Sequence, residues 1–152
     1  MILITGASGN VGTVPQSVVA AKAANGELPF HGSLEASEAD TLSFPFLTVS
    51  LSGTGQATHL GRFTATFDLQ VDVRTSMSRG SFTLIAANGA RVFGTLSGRA
   101  TGVGGIASIV ETAIITGGTG RFADAAGSFT IERVLDQATG ISSGSFDGTI
   151  SY

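Results

Sequence analysis

Strict alternation of apolar and polar residues around positions 61–74 constrains the fold of this chain more than any other feature. The apolar side chains occupy the odd positions of this segment, namely Phe63, Ala65, Phe67, Leu69, Val71 and Val73. A period of two is typical of a β-strand with one buried face, because successive side chains of a strand point to opposite sides. The same alternation recurs along most of the chain from residue 28 onward, which indicates an all-β fold.

The period-two pattern predicts eight strands in sequential order. We expect them near residues 28–37, 46–53, 60–73, 79–87, 90–100, 105–116, 127–136 and 141–152. Glycine, at 22 of 152 residues, stands at many of the expected corners. Eight short antiparallel strands suit a closed barrel, because closure removes the exposed edges that would otherwise pair with other chains. The predicted fold is an all-β, eight-stranded antiparallel closed barrel over residues 27–152, preceded by a short N-terminal strand–helix arm over residues 1–26.

The first 13 residues carry a different pattern, a short apolar strand followed by glycines at positions 6, 9 and 12. This string resembles the nucleotide-binding start of NmrA-like short-chain dehydrogenases. In that family such glycines let the backbone approach a dinucleotide pyrophosphate at the start of a helix. The resemblance implies NAD(P) binding through residues 5–12.

The sequence that follows weighs against a working dinucleotide site. Pro15 would fall inside the helix that the motif requires, at a cost of about 3 kcal/mol. Glu27 has the spacing of the ribose-binding acid, but it precedes the next apolar strand instead of ending it. No further strand–helix units follow to complete a parallel sheet. We therefore predict that no cofactor binds to residues 1–26, and NAD(P) binding stays the alternative.

Charge and cysteine content exclude several classes of function. The formal net charge is −3 and Lys22 is the only lysine, so no basic stripe exists to bind nucleic acid. The chain has no cysteine, and its two histidines, His31 and His59, are far apart in the sequence, so we expect no metal site. No apolar run approaches the ~18 residues of a membrane span. The N-terminus lacks the features of a signal peptide, so we expect a cytoplasmic protein.

The low charge content predicts self-association. Charged residues make up 12% of the chain, against about 25% in an average domain. The mean hydropathy is +0.35. Such a composition indicates that part of the outer surface is covered, and a homo-oligomer is the simplest way to cover it.

Four segments of the barrel region resemble one known family. They are residues 55–64, 86–89, 115–122 and 143–150, and they are similar to bacterial relatives of the allene oxide cyclase-like barrel, which shares a superfold with plant dirigent proteins. The resemblance implies an eight-stranded oligomeric barrel whose apolar cavity holds a small hydrophobic molecule and directs a cyclisation or coupling. The site motifs of the plant cyclase and of dirigent proteins are absent, so no catalytic residue is carried over.

Two opposite charges fall on the apolar face of the sixth and seventh strands. If these strands form a hairpin centred near Phe122, Glu111 lies opposite Arg133, between apolar pairs. One interpretation is a buried ion pair that sets the register of the strands. The other is a polar site in a hydrophobic pocket, where Glu111 acts as base or charge stabiliser and Arg133 holds an anionic group such as a carboxylate.

His59 is the third candidate catalytic residue, after Glu111 and Arg133. It precedes the third strand, where it is either an acid/base group at a cavity entrance or a turn residue bonded to backbone.

The sequence favours a barrel that binds a small apolar or amphiphilic ligand, with cyclase or isomerase activity as an extension. The alternative is a non-catalytic structural or interaction barrel with a filled core. A ligand-sized cavity would favour the first.

Overall fold

The computed structural model describes residues 26–152, which form a closed antiparallel barrel with its strands in sequential order. The strands are β1 Leu28–Ser43, β2 Phe46–Ala57, β3 Gly61–Asp72, β4 Met77–Ala86, β5 Arg91–Val103, β6 Ile106–Gly118, β7 Ala126–Asp136 and β8 Ile141–Ser151. β1 pairs with both β2 and β8, which closes the barrel. The eight predicted strands and the all-β class are confirmed. The predicted strand–helix arm and the glycines of residues 5–12 lie outside the described residues.

The barrel has two distinct ends. The connections β2–β3, β4–β5 and β6–β7 lie at one end together with the C-terminal Tyr152, and we call this the closed end. The connections β1–β2, β3–β4, β5–β6 and β7–β8 lie at the other, which we call the open end. Among residues 26–152 there is no helix of the length and hydrophobicity that a membrane crossing requires.

Aromatic rings fill the closed half of the barrel. The ring centroid of Phe129 lies 5.2 Å from that of Phe30, 5.4 Å from that of Phe82 and 5.1 Å from that of Phe146. All four side chains are buried, and their edge-to-face and tilted arrangements are those that aromatic quadrupoles favour. We call these four residues the aromatic plug. Their rings occupy the interior at this end of the barrel.

The register between β6 and β7 differs from the one expected. Glu111 lies opposite Ile131, and Arg133 lies opposite Ile109, so the predicted pairing was wrong by two residues. The connection contains a 3-10 helix, Gly120–Phe122, which moves the centre of the hairpin by one residue along the chain. A two-residue shift leaves every side chain on the same face. Both charges therefore still point inward, as diagonal neighbours within reach of long side chains.

Candidate functional site

A cavity of about 310 Å³ occupies the open half of the barrel. Its opening lies beside the β3–β4 and β7–β8 connections, where Val73, Ser76, Gln137 and Gly140 line it. Its walls are mostly aliphatic, with side chains from β2, β3, β6 and β7, namely Leu47, Val49, Leu69, Val71, Ala107, Ile109 and Leu135. Such a volume is at the lower end of the range for small-molecule sites.

Glu111 and Arg133 form a two-pronged ion pair in the wall of this cavity. Nε of Arg133 donates to Oε1 of Glu111 at 2.9 Å, and Nη2 donates to Oε2 at 2.8 Å. The two side chains are only 1% and 2% exposed. A guanidinium and a carboxylate match in this planar geometry, and their mutual attraction offsets much of the cost of removing both charges from water. The structure thus brings together the two charged residues that the sequence singled out.

Glu38 adds a second carboxyl group to the pair. Nη1 of Arg133 lies 3.4 Å from Oε2 of Glu38 and donates to Oγ of Ser142 at 3.1 Å. The Glu38 side chain is 7% exposed, and Glu38 also lines the cavity. We call Glu38, Glu111 and Arg133 the charged cluster. Four of the five N–H groups of a guanidinium are thereby occupied, so Arg133 is held on three sides.

Two glycines provide the space for the ion pair. Gly98 of β5 lies opposite Glu111, and a Cβ atom at Gly98 would stand 2.6 Å from Cγ of Glu111. Gly144 of β8 lies opposite Arg133, and a Cβ atom there would stand 3.0 Å from Cγ of Arg133. The strands on either side of the pair therefore omit side chains where the charged ones need room.

The surroundings shift the pKa values of two members of the charged cluster. Burial raises the pKa of Glu38 above the ordinary value of 4.5, and the attraction of Arg133 offsets this only in part. Burial also acts to lower the pKa of Arg133, but the hydrogen bonds and charge of Glu111 outweigh it, so that this pKa is raised. Arg133 therefore stays charged, and Glu38 takes up a proton at higher pH than an ordinary exposed glutamate does.

The raised pKa of Glu38 makes stability depend on pH. Folded protein holds this proton to higher pH than unfolded protein, so the contribution of Glu38 to the free energy of unfolding falls as pH rises above about 4.5. Glutamine does not titrate, so the free energy of unfolding of Glu38→Gln should lack this decrease. The variant therefore gains stability relative to wild type as pH rises. Urea unfolding at a series of pH values measures the difference.

Glu35→Gln is the matched control for this experiment. Glu35 lies on the same strand, and its side chain faces solvent. A Glu38→Gln protein that loses stability relative to wild type as pH rises, or a Glu35→Gln protein with the same pH dependence as Glu38→Gln, would contradict the assignment.

His59 lies apart from the charged cluster. It occupies the turn between β2 and β3 at the closed end, in the left-handed region with φ of 65°. Its Nδ1 is 3.3 Å from the hydroxyl of Tyr152, and its carbonyl accepts a hydrogen bond from Arg121. His59 is not among the residues that line the cavity. The candidate site therefore consists of the charged cluster without the histidine.

A wider concavity of about 920 Å³ lies on the outer wall of the barrel. It is open to solvent, and its lining mixes apolar side chains with polar ones such as those of Glu35, Gln56 and Arg62. It contains no buried charge, whereas the smaller interior cavity combines an aliphatic wall with the charged cluster. Shape and chemistry together therefore favour the interior cavity as the candidate site.

In residues 26–152 no group of three or more His, Cys, Asp or Glu side chains is placed to hold a metal ion.

Comparisons with protein-family models, with curated proteins and with solved structures find no match for this chain. The resemblance to allene oxide cyclase-like barrels therefore stays a prediction.

Proposed function

We propose that this protein binds a small, predominantly apolar molecule in the open half of its barrel, with the polar group of that molecule at the charged cluster. One observation carries the proposal: an aliphatic cavity of about 310 Å³ that contains a buried, hydrogen-bonded set of charges. Apolar pockets with a few convergent polar groups are typical of ligand sites. A purely structural barrel has no need of an interior space in which charges meet an apolar wall.

The charges of the cavity favour a neutral or cationic polar group on the ligand. Three carboxyl groups line it, those of Glu38, Asp40 and Glu111, against the single guanidinium of Arg133. An anionic group would have to compete with Glu38 for Nη1 of Arg133. A hydroxyl, carbonyl or amine can instead bond to the carboxyl group of Glu38 without breaking the ion pair.

Filling the cavity should weaken binding of the ligand. Ala107 lies on β6, is 4% exposed and lines the cavity, so that a larger side chain at this position must occupy ligand space. We expect Ala107→Phe to weaken binding of the neutral apolar dye N-phenyl-1-naphthylamine at least about tenfold, as one well-packed apolar group is worth more than 1.4 kcal/mol. Fluorescence titration measures the dissociation constant, and displacement by decanol, decylamine and decanoate ranks the polar groups.

Ser108→Phe is the matched control, because it adds the same ring to the same strand on the solvent face. The control should bind dye as wild type does. If the wild-type protein binds no dye, or if Ala107→Phe binds as tightly as Ser108→Phe, the interior is not a ligand site and the structural barrel is the better account.

A cyclase or isomerase activity is the second candidate, favoured by the carboxyl group of Glu38. A carboxyl group whose pKa is raised by burial, set beside an apolar cavity, is suited to proton transfer. Compounds that bind can be incubated with the protein and analysed by chromatography with mass spectrometry. A cyclised or isomerised product has the mass of the starting compound and a different retention time. Glu38→Gln should then keep binding and lose turnover. Arg133, itself held by Glu111, would position Glu38 and balance its charge.

The homo-oligomer predicted from composition stays a prediction. The outer wall of β5, β6 and β7 exposes Phe93, Val110, Ile114 and Val134, which is a surface that a second copy could cover.

A further inference from the structure

Exposed apolar side chains surround the open end of the barrel. Eight large ones lie at the four connections of this end, namely Leu42, Phe44, Phe46, Val73, Met77, Val103, Ile106 and Ile141. We call these eight residues the apolar rim. Toward the closed end of the described residues, Leu28 and Phe93 are the comparable side chains, exposed by 37% and 36%. Exposed apolar residues are ordinary when scattered, but a ring of them at one end of a barrel indicates a contact surface.

The two most exposed parts of the rim face each other across the cavity mouth. Because the strands run in sequential order around the barrel, the β1–β2 and β5–β6 connections are on opposite sides. Phe44 is 73% exposed at the first connection, and Val103 is 84% exposed at the second. Two-residue turns, with Ser43 paired to Phe46 and Val103 paired to Ile106, hold both tips close to the strands.

Both of these tips are free of charge. Residues 41–47 and 100–107 contain no Asp, Glu, Lys or Arg. The charges nearest the open end lie outside these tips: Arg74 is ion-paired with Asp72, and Asp136 accepts from the backbone N–H of Ala138. Arg99 lies on β5, opposite Met77 of the rim. The open end thus has apolar tips and little positive charge, which suits an uncharged or zwitterionic surface and not a strongly anionic one.

We propose that the open end docks on the surface of a zwitterionic lipid bilayer, with the tips at Phe44 and Val103 inserted among the lipid headgroups. The proposal rests on the proposed function, because the molecule that fits the cavity is apolar and dissolves in lipid. Docking in this orientation places the cavity mouth against the bilayer, so that a ligand passes between lipid and barrel without crossing water. A protein partner or a second copy at this end would instead seal the mouth through which the ligand enters.

The apolar surface of the two tips predicts a measurable membrane affinity. We expect wild-type protein to float with phosphatidylcholine vesicles in a density gradient. Phe44→Ser combined with Val103→Ser should lower the vesicle-bound fraction relative to free protein at least about tenfold, because each substitution removes most of an inserted apolar side chain. Adding phosphatidylserine to the vesicles should not increase binding.

Phe93→Ser combined with Ile114→Ser is the matched control. These residues are also large, apolar and exposed, but they lie on the outer wall of β5 and β6. The control should float as wild type does, and both double variants should keep the far-ultraviolet circular dichroism of the wild type.

Three outcomes would overturn the docking proposal. The first is that the wild-type protein does not bind phosphatidylcholine vesicles. This includes the case in which two open ends pair as a dimer, which Phe44→Ser combined with Val103→Ser would dissociate. The second is equal loss of binding in the rim variant and the wall control. The third is binding that requires phosphatidylserine. Dye binding in solution separates this proposal from the proposed function. A rim variant that binds the dye but not the vesicles supports both proposals. A wild-type protein that floats with vesicles but binds no dye contradicts the ligand site and leaves membrane docking supported.

Discussion

Arg133→Met lowers the free energy of unfolding by about 3–5 kcal/mol, because it leaves the carboxylate of Glu111 buried without a partner. Glu111 is 1% exposed and both of its oxygens accept from Arg133, so that water cannot replace the lost bonds without entering the barrel wall. Chemical denaturation near neutral pH measures the loss. It should exceed the effect of most single substitutions in the aliphatic wall of the cavity.

The double variant Glu111→Leu with Arg133→Met is the control for this prediction. Replacing both charges with apolar side chains of similar size removes the unpaired carboxylate, and we expect most of the stability to return. An Arg133→Met protein no less stable than the double variant would contradict the buried-charge argument.

The same double variant decides between the two interpretations of the ion pair. It retains the cavity and removes two of the three members of the charged cluster. If dye and decanol bind to it as to wild type, the pair serves only the structure of the barrel. If the affinity for decanol falls while that for the dye is unchanged, the charged cluster contacts the polar group of the ligand.

Phe129→Ala lowers the free energy of unfolding by a comparable amount, about 3–5 kcal/mol. Phe129 is 3% exposed and contacts the rings of Phe30, Phe82 and Phe146, so its removal leaves a void that the rigid barrel wall cannot close. Urea denaturation of purified wild type and variant gives the difference.

Phe44→Ala is the matched control for the aromatic plug. It removes the same ring from a position that is 73% exposed, so we expect a change within about 0.5 kcal/mol. A loss below about 1 kcal/mol in Phe129→Ala would show that the plug is not closely packed.

Glu38 shows why part of the candidate site escaped prediction from sequence. Phe30, Leu34 and Ala36 lie on the inner face of β1, and Glu38 and Asp40 continue the same phase. A search for apolar alternation ends such a strand near residue 37, because two acids look like the start of a loop. The structure extends β1 to Ser43, so that both acids belong to the wall of the cavity. Because Glu38 and Asp40 are polar, the apolar alternation stops before the last part of β1, which carries them.

Ser142, Gly98 and Gly144 were also missed, and for a different reason. Each contributes to the ion pair from a neighbouring strand. Ser142 accepts a hydrogen bond from Arg133, and the two glycines leave room for the charged side chains because they have none of their own. Their roles depend on cross-strand register, which no local pattern specifies. The two-residue error in the β6–β7 register has the same origin, since the 3-10 helix Gly120–Phe122 sets the length of that connection.

From the sequence alone came the eight strands, the closed barrel and the inward direction of Glu111 and Arg133. Those features follow from side-chain periodicity, which is local and survives an error of two residues in register. Only the tertiary structure decided that aromatic rings fill one half of the barrel, that the other half is a cavity, and that Glu38 joins the ion pair. These outcomes depend on which strands meet across the interior and on how much volume their side chains leave, and neither quantity is contained in the pattern of any single strand.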